Sequence, residues 1–241
     1  MSEDAAKWGG SSKGSNVDPP QLSADLPLPR QITTTSKSPE LPIDVLLLTV
    51  DDTEFLACYK ELKDPFRCYY AETGYVYFNF VGSQQGIAKV ALMRCYKGSD
   101  GPGGSTLAVK DAASILRPRA VISVGTCIGL NFDKTKLGHV VVSAKLTTRD
   151  TSTYVSTKFL RLILTCAHGW NAPLKQQECC DAIRVHCGEF LSDSGLVRAE
   201  CAGSDLVKSY PGATAIEIGG GGKYIFFLFL CHLLKFRIFK E

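Results

Sequence analysis

The stretch Lys97–Val142, KGSDGPGGSTLAVKDAASILRPRAVISVGTCIGLNFDKTKLGHVVV, decides the fold. A glycine-rich loop precedes a helix that begins at Ser105 or Thr106. A buried strand, Ala120–Val124, follows and leads into a turn at Gly125–Gly129. Ligands bind beyond the carboxyl ends of strands in open α/β sheets, and glycines let backbone N–H groups approach a substrate closely. We therefore expect the functional site around this turn.

The composition favours one α/β domain. The chain has 241 residues, of which 45% are hydrophobic and 21% are charged, so it can bury a sizeable core. Its formal net charge of +3 is too small for a dedicated nucleic-acid-binding protein. No apolar segment follows the first methionine, so we expect the ten cysteines to be thiols in the cytoplasm. Their spacing does not match a zinc site, and we expect neither a metal nor a cofactor.

Three regions differ in composition. Residues 1–42 are rich in Ser, Gly, Pro and Thr and contain few large apolar residues, which predicts a disordered tail. Residues 43–222 carry the apolar runs of the expected domain. Residues 223–241 form an apolar and basic tail, whose eleven-residue apolar run is too short for an ordinary membrane span. We therefore expect no clear membrane association.

The domain begins with an apolar run, Ile43–Val50, which predicts a buried strand. Asp51, Asp52 or Thr53 can cap the helix that follows. Its apolar residues recur at helical spacing: Phe55, Leu56, Tyr59 and Leu62. The strand and Ala120–Val124 are both short and apolar, so we expect them to be neighbouring central strands.

Local patterns predict the remaining elements. They are a hairpin of Tyr75–Val81 and Ile87–Met93, a helix within Phe159–Ala167, a strand at Arg184–Leu191 and a helix over about Glu200–Tyr210. The glycine-rich loop before Ser105 is either an anion site at a helix N-terminus or a surface loop without a ligand.

Two motifs resemble the nucleoside phosphorylase and nucleosidase superfamily. Val121–Leu130, VISVGTCIGL, matches the family pattern V-I-x-x-G-[ST]-[AC]-x-G-L. Lys136–Ser143, KLGHVVVS, matches K-x-G-D-[IV]-V-[VI]-S, except that His139 replaces the aspartate. The resemblance implies a three-layer α/β fold, in which helices flank a central twisted mixed sheet. Members of the family often form homo-oligomers.

The resemblance also implies roles for individual residues. Glu54 matches the general base that activates water, although a glutamate there also complements a helix N-terminus. The implied substrate-binding residues are Gly125, Thr126, Cys127, Gly129, Leu196, Val197 and Glu217. Leu196 and Val197 would contact the purine base, or they are ordinary core aliphatic residues.

The chain departs from the family pattern near its end. Gly219 stands where the family has a glutamate that binds the ribose hydroxyls. Such hydrogen bonds are worth about 1.5–3 kcal/mol each, so their loss weakens ribose binding. Residues 223–241 contain no aspartate to match the family's general acid. We expect the family's last strand and helix to be missing or replaced, with the apolar tail packing as a substitute or not packing at all.

These features favour cleavage of the N-ribosidic bond of a purine nucleoside. Ser123 stands where the hexameric phosphorylases of the family have a phosphate-binding arginine, which favours water over phosphate as the nucleophile. The expected partner is a small-molecule nucleoside, with phosphate left open and no nucleic acid. The alternative is a nucleoside-binding or regulatory domain of the same fold that has lost catalysis.

Overall fold

The computed structural model describes most of the expected domain. The described residues are 38–83, 86–96, 105–130, 135, 138–147, 152–155, 157–165, 168, 183–192, 203–217 and 225–230. Within them the elements, in chain order, are β1 (Val45–Thr49), α1 (Asp52–Glu61), β2 (Phe66–Tyr70), β3 (Gly74–Ser83), β4 (Gly86–Arg94), α2 (Ser105–Leu116), β5 (Ala120–Gly129), β6 (Val140–Thr147), β7 (Ser152–Tyr154), α3 (Thr157–Thr165), β8 (Val185–Leu191), α4 (Gly203–Ser209), β9 (Ala213–Glu217) and β10 (Ile225–Leu230).

These strands form one mixed sheet whose first part is open and runs in the order β2, β3, β4, β1, β5. Strand β1 lies between β4 and β5 and is parallel to both, with Val45 opposite Val90 on one side and Ala120 on the other. A strand that is apolar except for Thr49 suits this position because both of its faces are covered. The prediction that β1 and β5 are neighbouring central strands is confirmed.

The second part of the sheet closes on itself. Strand β10 pairs with β5 in antiparallel and with β6 in parallel orientation. Strand β6 pairs with β8, β8 with β9, and β9 returns to β5. The ring is therefore β5, β10, β6, β8 and β9, and β5 belongs to both parts of the sheet. A buried apolar cluster with members from four of these strands fills it: Cys127, Val141, Phe190 and Ala215.

Helices cover both faces of the open part. Alternate residues of β4 point to opposite sides: Ala91 and Met93 pack in the cluster that contains α2, and Val90 and Leu92 pack in the cluster that contains α1. This is the period of two expected of a strand buried on both faces. The arrangement of helix, sheet and helix confirms the three-layer α/β architecture.

One sequence prediction is wrong, and one strand was missed. Gly125–Gly129 is not a turn but the second half of β5, because it pairs with β10 up to Cys127 and with β9 from Cys127 to Gly129. The short strand β2 was not predicted, and it pairs along its whole length with β3. Of the two alternatives for the apolar tail, the structure shows packing for Ile225–Leu230, which fills the place between β5 and β6.

The other predicted elements agree with the structure. The hairpin corresponds to β3 and β4, which pair in antiparallel orientation from Val76 opposite Met93 to Ser83 opposite Gly86. The predicted helices correspond to α1, α2, α3 and α4, and the strand at residues 184–191 corresponds to β8. Within the described ranges, no helix is long and apolar enough to cross a membrane.

Candidate functional site

The junction of β1 and α1 binds the carboxylate of Glu54. Asp51 is the N-cap of α1, and the Glu54 side chain in the first turn folds back towards it. The N–H groups of Val50 and Asp51 donate to Glu54 Oε2, at 3.0 and 3.1 Å. The first N–H groups of a helix lack partners within it, and a glutamate at this position commonly accepts from them. The side chain of Glu54 is fixed by its own helix start.

The other oxygen of Glu54 contacts β5. Thr126 donates to Glu54 Oε1 from its backbone N–H at 2.9 Å and from its hydroxyl at 3.4 Å. Strands β1 and β5 are parallel, so their carboxyl-terminal halves lie at the same edge of the sheet. Glu54 is buried, with 6% of its surface exposed. The structure therefore brings the predicted base and the predicted substrate-binding segment into direct contact.

The remaining predicted residues divide between described and undescribed parts of the chain. Gly125 and Gly129 are buried in β5, and the Cys127 side chain packs inside the ring. The backbone of Glu217 in β9 lies opposite Cys127. Four features lie outside the described residues: Leu196, Val197, Gly219 and the glycine-rich loop before Ser105.

Arg94 is a charged residue of this region that the sequence analysis did not single out. It ends β4, opposite Thr49 of β1, and its side chain is half exposed. Its Nε donates to the carbonyl oxygen of Val50 at 2.9 Å, and its Nη1 forms an ion pair with Asp52. The sequence could have indicated Arg94, because it directly follows the apolar run that predicts β4 and so lies at the carboxyl end of a strand.

His139, which stands in place of the family's aspartate, forms a stacked pair with His186. The ring centroids are 4.9 Å apart, and His139 Nδ1 lies 2.7 Å from His186 Nε2. His139 is buried. Burial lowers the pKa of His186, and the nearby charges of His139 and Arg184 lower it further. The pair connects the start of β6 with β8.

A second polar cluster connects β6, β7 and β8. Glu189 Oε1 accepts hydrogen bonds from Lys145 Nζ, at 3.0 Å, and from the hydroxyl of Thr147, which also contacts Ser152 Oγ at 2.9 Å. Burial raises the pKa of Glu189, but the hydrogen bonds from Thr147 and Lys145 and the charge of Lys145 outweigh it, leaving the pKa below its usual value. We interpret this cluster as structural: its ion pair joins the neighbouring strands β6 and β8.

Other chemistry is limited in the described part of the chain. Burial, with the negative charge of Glu54 as a second cause, raises the pKa of Cys58 to about 12, so its thiol stays protonated near neutral pH. Among the described side chains, no three His, Cys, Asp or Glu residues are close enough together to hold a metal ion. The described site offers one buried carboxylate, one hydroxyl and one neighbouring guanidinium group.

Neither family models nor curated proteins match this chain. Solved structures do. A methylthioadenosine/S-adenosylhomocysteine nucleosidase from Neisseria meningitidis, in complex with methylthio-immucillin-A, is similar with a TM-score of 0.57 at 12% identity, covering 77% of this chain and 83% of the nucleosidase.

Two further structures come from other enzymes. Futalosine hydrolase of Helicobacter pylori has a TM-score of 0.56 at 14% identity, covering 78% of this chain and 84% of the hydrolase. Purine nucleoside phosphorylase of Toxoplasma gondii, in complex with immucillin-H, has a TM-score of 0.55 at 12% identity, covering 78% of this chain and 77% of the phosphorylase. These likenesses establish the fold: the chain adopts the same fold as these nucleosidases and this phosphorylase, as its motifs predicted.

Proposed function

We propose that this chain acts in nucleoside metabolism and hydrolyses the N-ribosidic bond of a purine nucleoside. The observation that carries the proposal is the contact of Glu54 Oε1 with Thr126 in β5. The similar solved structures support a nucleoside ligand, since they include nucleosidases and a phosphorylase bound to nucleoside analogues.

The proposed reaction follows from the chemistry of the bond. Its transition state resembles an oxocarbenium ion, so the nucleophile needs a nearby base and the leaving purine needs a proton. In the proposal, Glu54 takes a proton from water as the water oxygen bonds to the anomeric carbon. The C–N bond breaks, and the purine leaves with its electron pair and takes a proton from solvent water, while Glu54 returns its own proton to solvent. The products are a free sugar and a free base.

The proposal places the substrate along β5. Gly125, Thr126 and Gly129 approach the nucleoside, and Cys127 supports them from inside the ring. In this proposal Leu196 and Val197 would contact the purine, and Glu217 would lie near the substrate. Ser123, where an arginine would bind phosphate, favours water as the nucleophile.

A second candidate is a nucleoside-binding domain without catalysis. A carboxylate has about four lone-pair positions, and Glu54 accepts four hydrogen bonds from Val50, Asp51 and Thr126. For Glu54 to accept a proton from water, one of these four hydrogen bonds must break. Gly219, in place of the ribose-binding glutamate, also favours this candidate.

Measuring binding and base release in parallel distinguishes the two candidates. The full chain is incubated with adenosine, inosine or methylthioadenosine, with and without phosphate. Free base is measured by chromatography and binding by calorimetry. Without general-acid assistance, we expect release about 10²–10⁴-fold slower than by an ordinary enzyme of this kind. Glu54→Gln should abolish it, and Glu61→Gln, at the last position of α1, should not.

Each other outcome has a defined meaning. Binding without release, or release that survives Glu54→Gln, contradicts the nucleosidase proposal. Binding alone supports the second candidate. Release that requires phosphate would identify a phosphorylase, and absence of binding contradicts both candidates.

A further inference from the structure

The peptide group between Val50 and Asp51 is hydrogen-bonded at both ends to charged side chains. Its carbonyl oxygen accepts from Arg94 Nε at 2.9 Å. Its N–H donates to Glu54 Oε2 at 3.1 Å. A guanidinium group, one peptide group and a buried carboxylate are thus connected in a row.

Such a row strengthens its own hydrogen bonds. A cationic donor on the carbonyl oxygen polarises the peptide group and makes its N–H a better donor to a carboxylate. This strengthening is about 10–30% per bond. Two further contacts hold Arg94 in place. Its Nη1 forms an ion pair with Asp52, and the N–H of the next residue, Cys95, donates to the carbonyl oxygen of Thr49 at 2.7 Å.

We propose that Arg94 is a positioning residue, which fixes the direction of the Glu54 carboxylate through this peptide group. The inference rests on the proposed function in that it gives the orientation of Glu54 a catalytic purpose. With Oε2 held by the start of α1, Oε1 is directed at Thr126 in β5. Without Arg94 the peptide group loses one of its two anchors, and Glu54 Oε1 departs from this direction.

Amide hydrogen exchange of Asp51, measured by NMR on the full chain, tests the inference without any need for activity. Arg94→Gln should speed exchange of the Asp51 amide by roughly tenfold, because it weakens a charge-assisted hydrogen bond. Asp52→Asn removes the ion pair but keeps the bond from Arg94 Nε to Val50 O, so the exchange should stay near that of the wild type. Arg94→Lys keeps the charge without the planar fork and should be intermediate.

Kinetics provide the second measurement. Misplacement of a catalytic group by about 1 Å can cost up to about 10²-fold in rate, so we expect Arg94→Gln to lower kcat by up to that factor with KM little changed. Arg94→Lys should recover part of the loss. Arg67, whose guanidinium lies 4.3 Å from the centre of the Tyr75 ring, is the matched control, and Arg67→Gln should leave kcat unchanged.

The outcomes separate this inference from the proposed function. If a folded Arg94→Gln or Arg94→Lys variant exchanges the Asp51 amide like the wild type, the positioning role is wrong, whatever the enzyme does. If that amide responds as expected but base release survives Glu54→Gln, the link to Arg94 stands and the nucleosidase proposal fails. A fall in kcat matched by Arg67→Gln would indicate a general loss of stability and contradict the kinetic part of the inference.

Discussion

Glu54 shows how much a single residue can be understood from sequence. Its place in the first turn of α1 predicts contacts with free backbone N–H groups, and those with Val50 and Asp51 are present. The contact with Thr126 spans 72 positions of the chain and depends on the pairing of β1 with β5. Local pattern could not supply this contact. The strand-end rule indicated the Gly125–Gly129 segment, but only the family resemblance indicated Glu54 as its partner in a site. Its role as a base remains a prediction.

Glu54→Gln should destabilise the fold as well as affect activity. A glutamine has one acceptor oxygen where the glutamate has two, so its NH₂ group must face N–H donors at Thr126 or at Val50 and Asp51. Leaving such buried groups unsatisfied costs about 1–3 kcal/mol. Urea unfolding measures the loss. The exposed Glu61→Gln serves as a control, and equal stability of both variants would contradict this account of the Glu54 contacts.

Strand β5 marks the limit of sequence analysis for whole elements. Its first half is a plain apolar run, but its second half contains Gly125 and Gly129, which local rules assign to a turn. The strand continues because partners are available on both sides: Cys127 lies opposite Ile225 of β10 and opposite Glu217 of β9. The extent of a strand depends on distant pairings, which explains why the helices, with their local hydrogen bonds, were predicted better.

The pairing of β6 with β8 should weaken in acid. The folded pKa of Glu189 lies below its ordinary value of 4.5, and the unfolded chain has the ordinary value. Above pH 4.5 this difference contributes fully to stability, and the contribution is lost as the pH falls through the folded pKa. Urea unfolding between pH 3 and 7 should therefore show that the free energy of unfolding falls less in acid for Glu189→Gln than for the wild type. Glu72→Gln, at an exposed turn residue, should keep the loss seen in the wild type.

The close contact of β8 with β9 predicts a steric effect at Gly188. A Cβ atom there would lie 2.0 Å from Thr214 Oγ1 and 3.0 Å from Thr214 Cβ. Gly188→Ala should therefore destabilise the fold by about 1–3 kcal/mol. Adding Thr214→Ala removes the nearer atom and should restore part of the stability, as a double-mutant cycle of unfolding free energies would reveal. A neutral Gly188→Ala would show that the strands separate easily at this point.

At the scale of the molecule, two ordered motifs predicted the fold that the described residues adopt, but they did not predict how its ring closes. Ile225–Leu230, IFFLFL, has neither helical nor strand periodicity, so its sequence does not say which elements it joins. The structure places it between β5 and β6, where Phe227 lies opposite Gly125 on one side and Val141 on the other.

A proline in this strand should open the ring. Phe227→Pro removes a backbone N–H from a strand that is paired on both sides. For a chain of this size, a loss of about 2 kcal/mol lowers Tm by roughly 4–8 °C. Thermal melting and light scattering should show a lower Tm and more aggregation than for Phe239→Pro, a change outside β10. Identical melting of both variants would contradict closure of the ring by β10.

The position of β10 in the chain also affects how the protein is made. A ribosome adds about 5–20 residues per second, and β10 is synthesised about 100 residues after the part of β5 with which it pairs. For several seconds the nascent chain therefore has two unpaired strand edges, one on β5 and one on β6. A holdase chaperone that covers extended apolar segments would act during this interval, and slowing translation between the codons for β6 and β10 should lower the soluble yield.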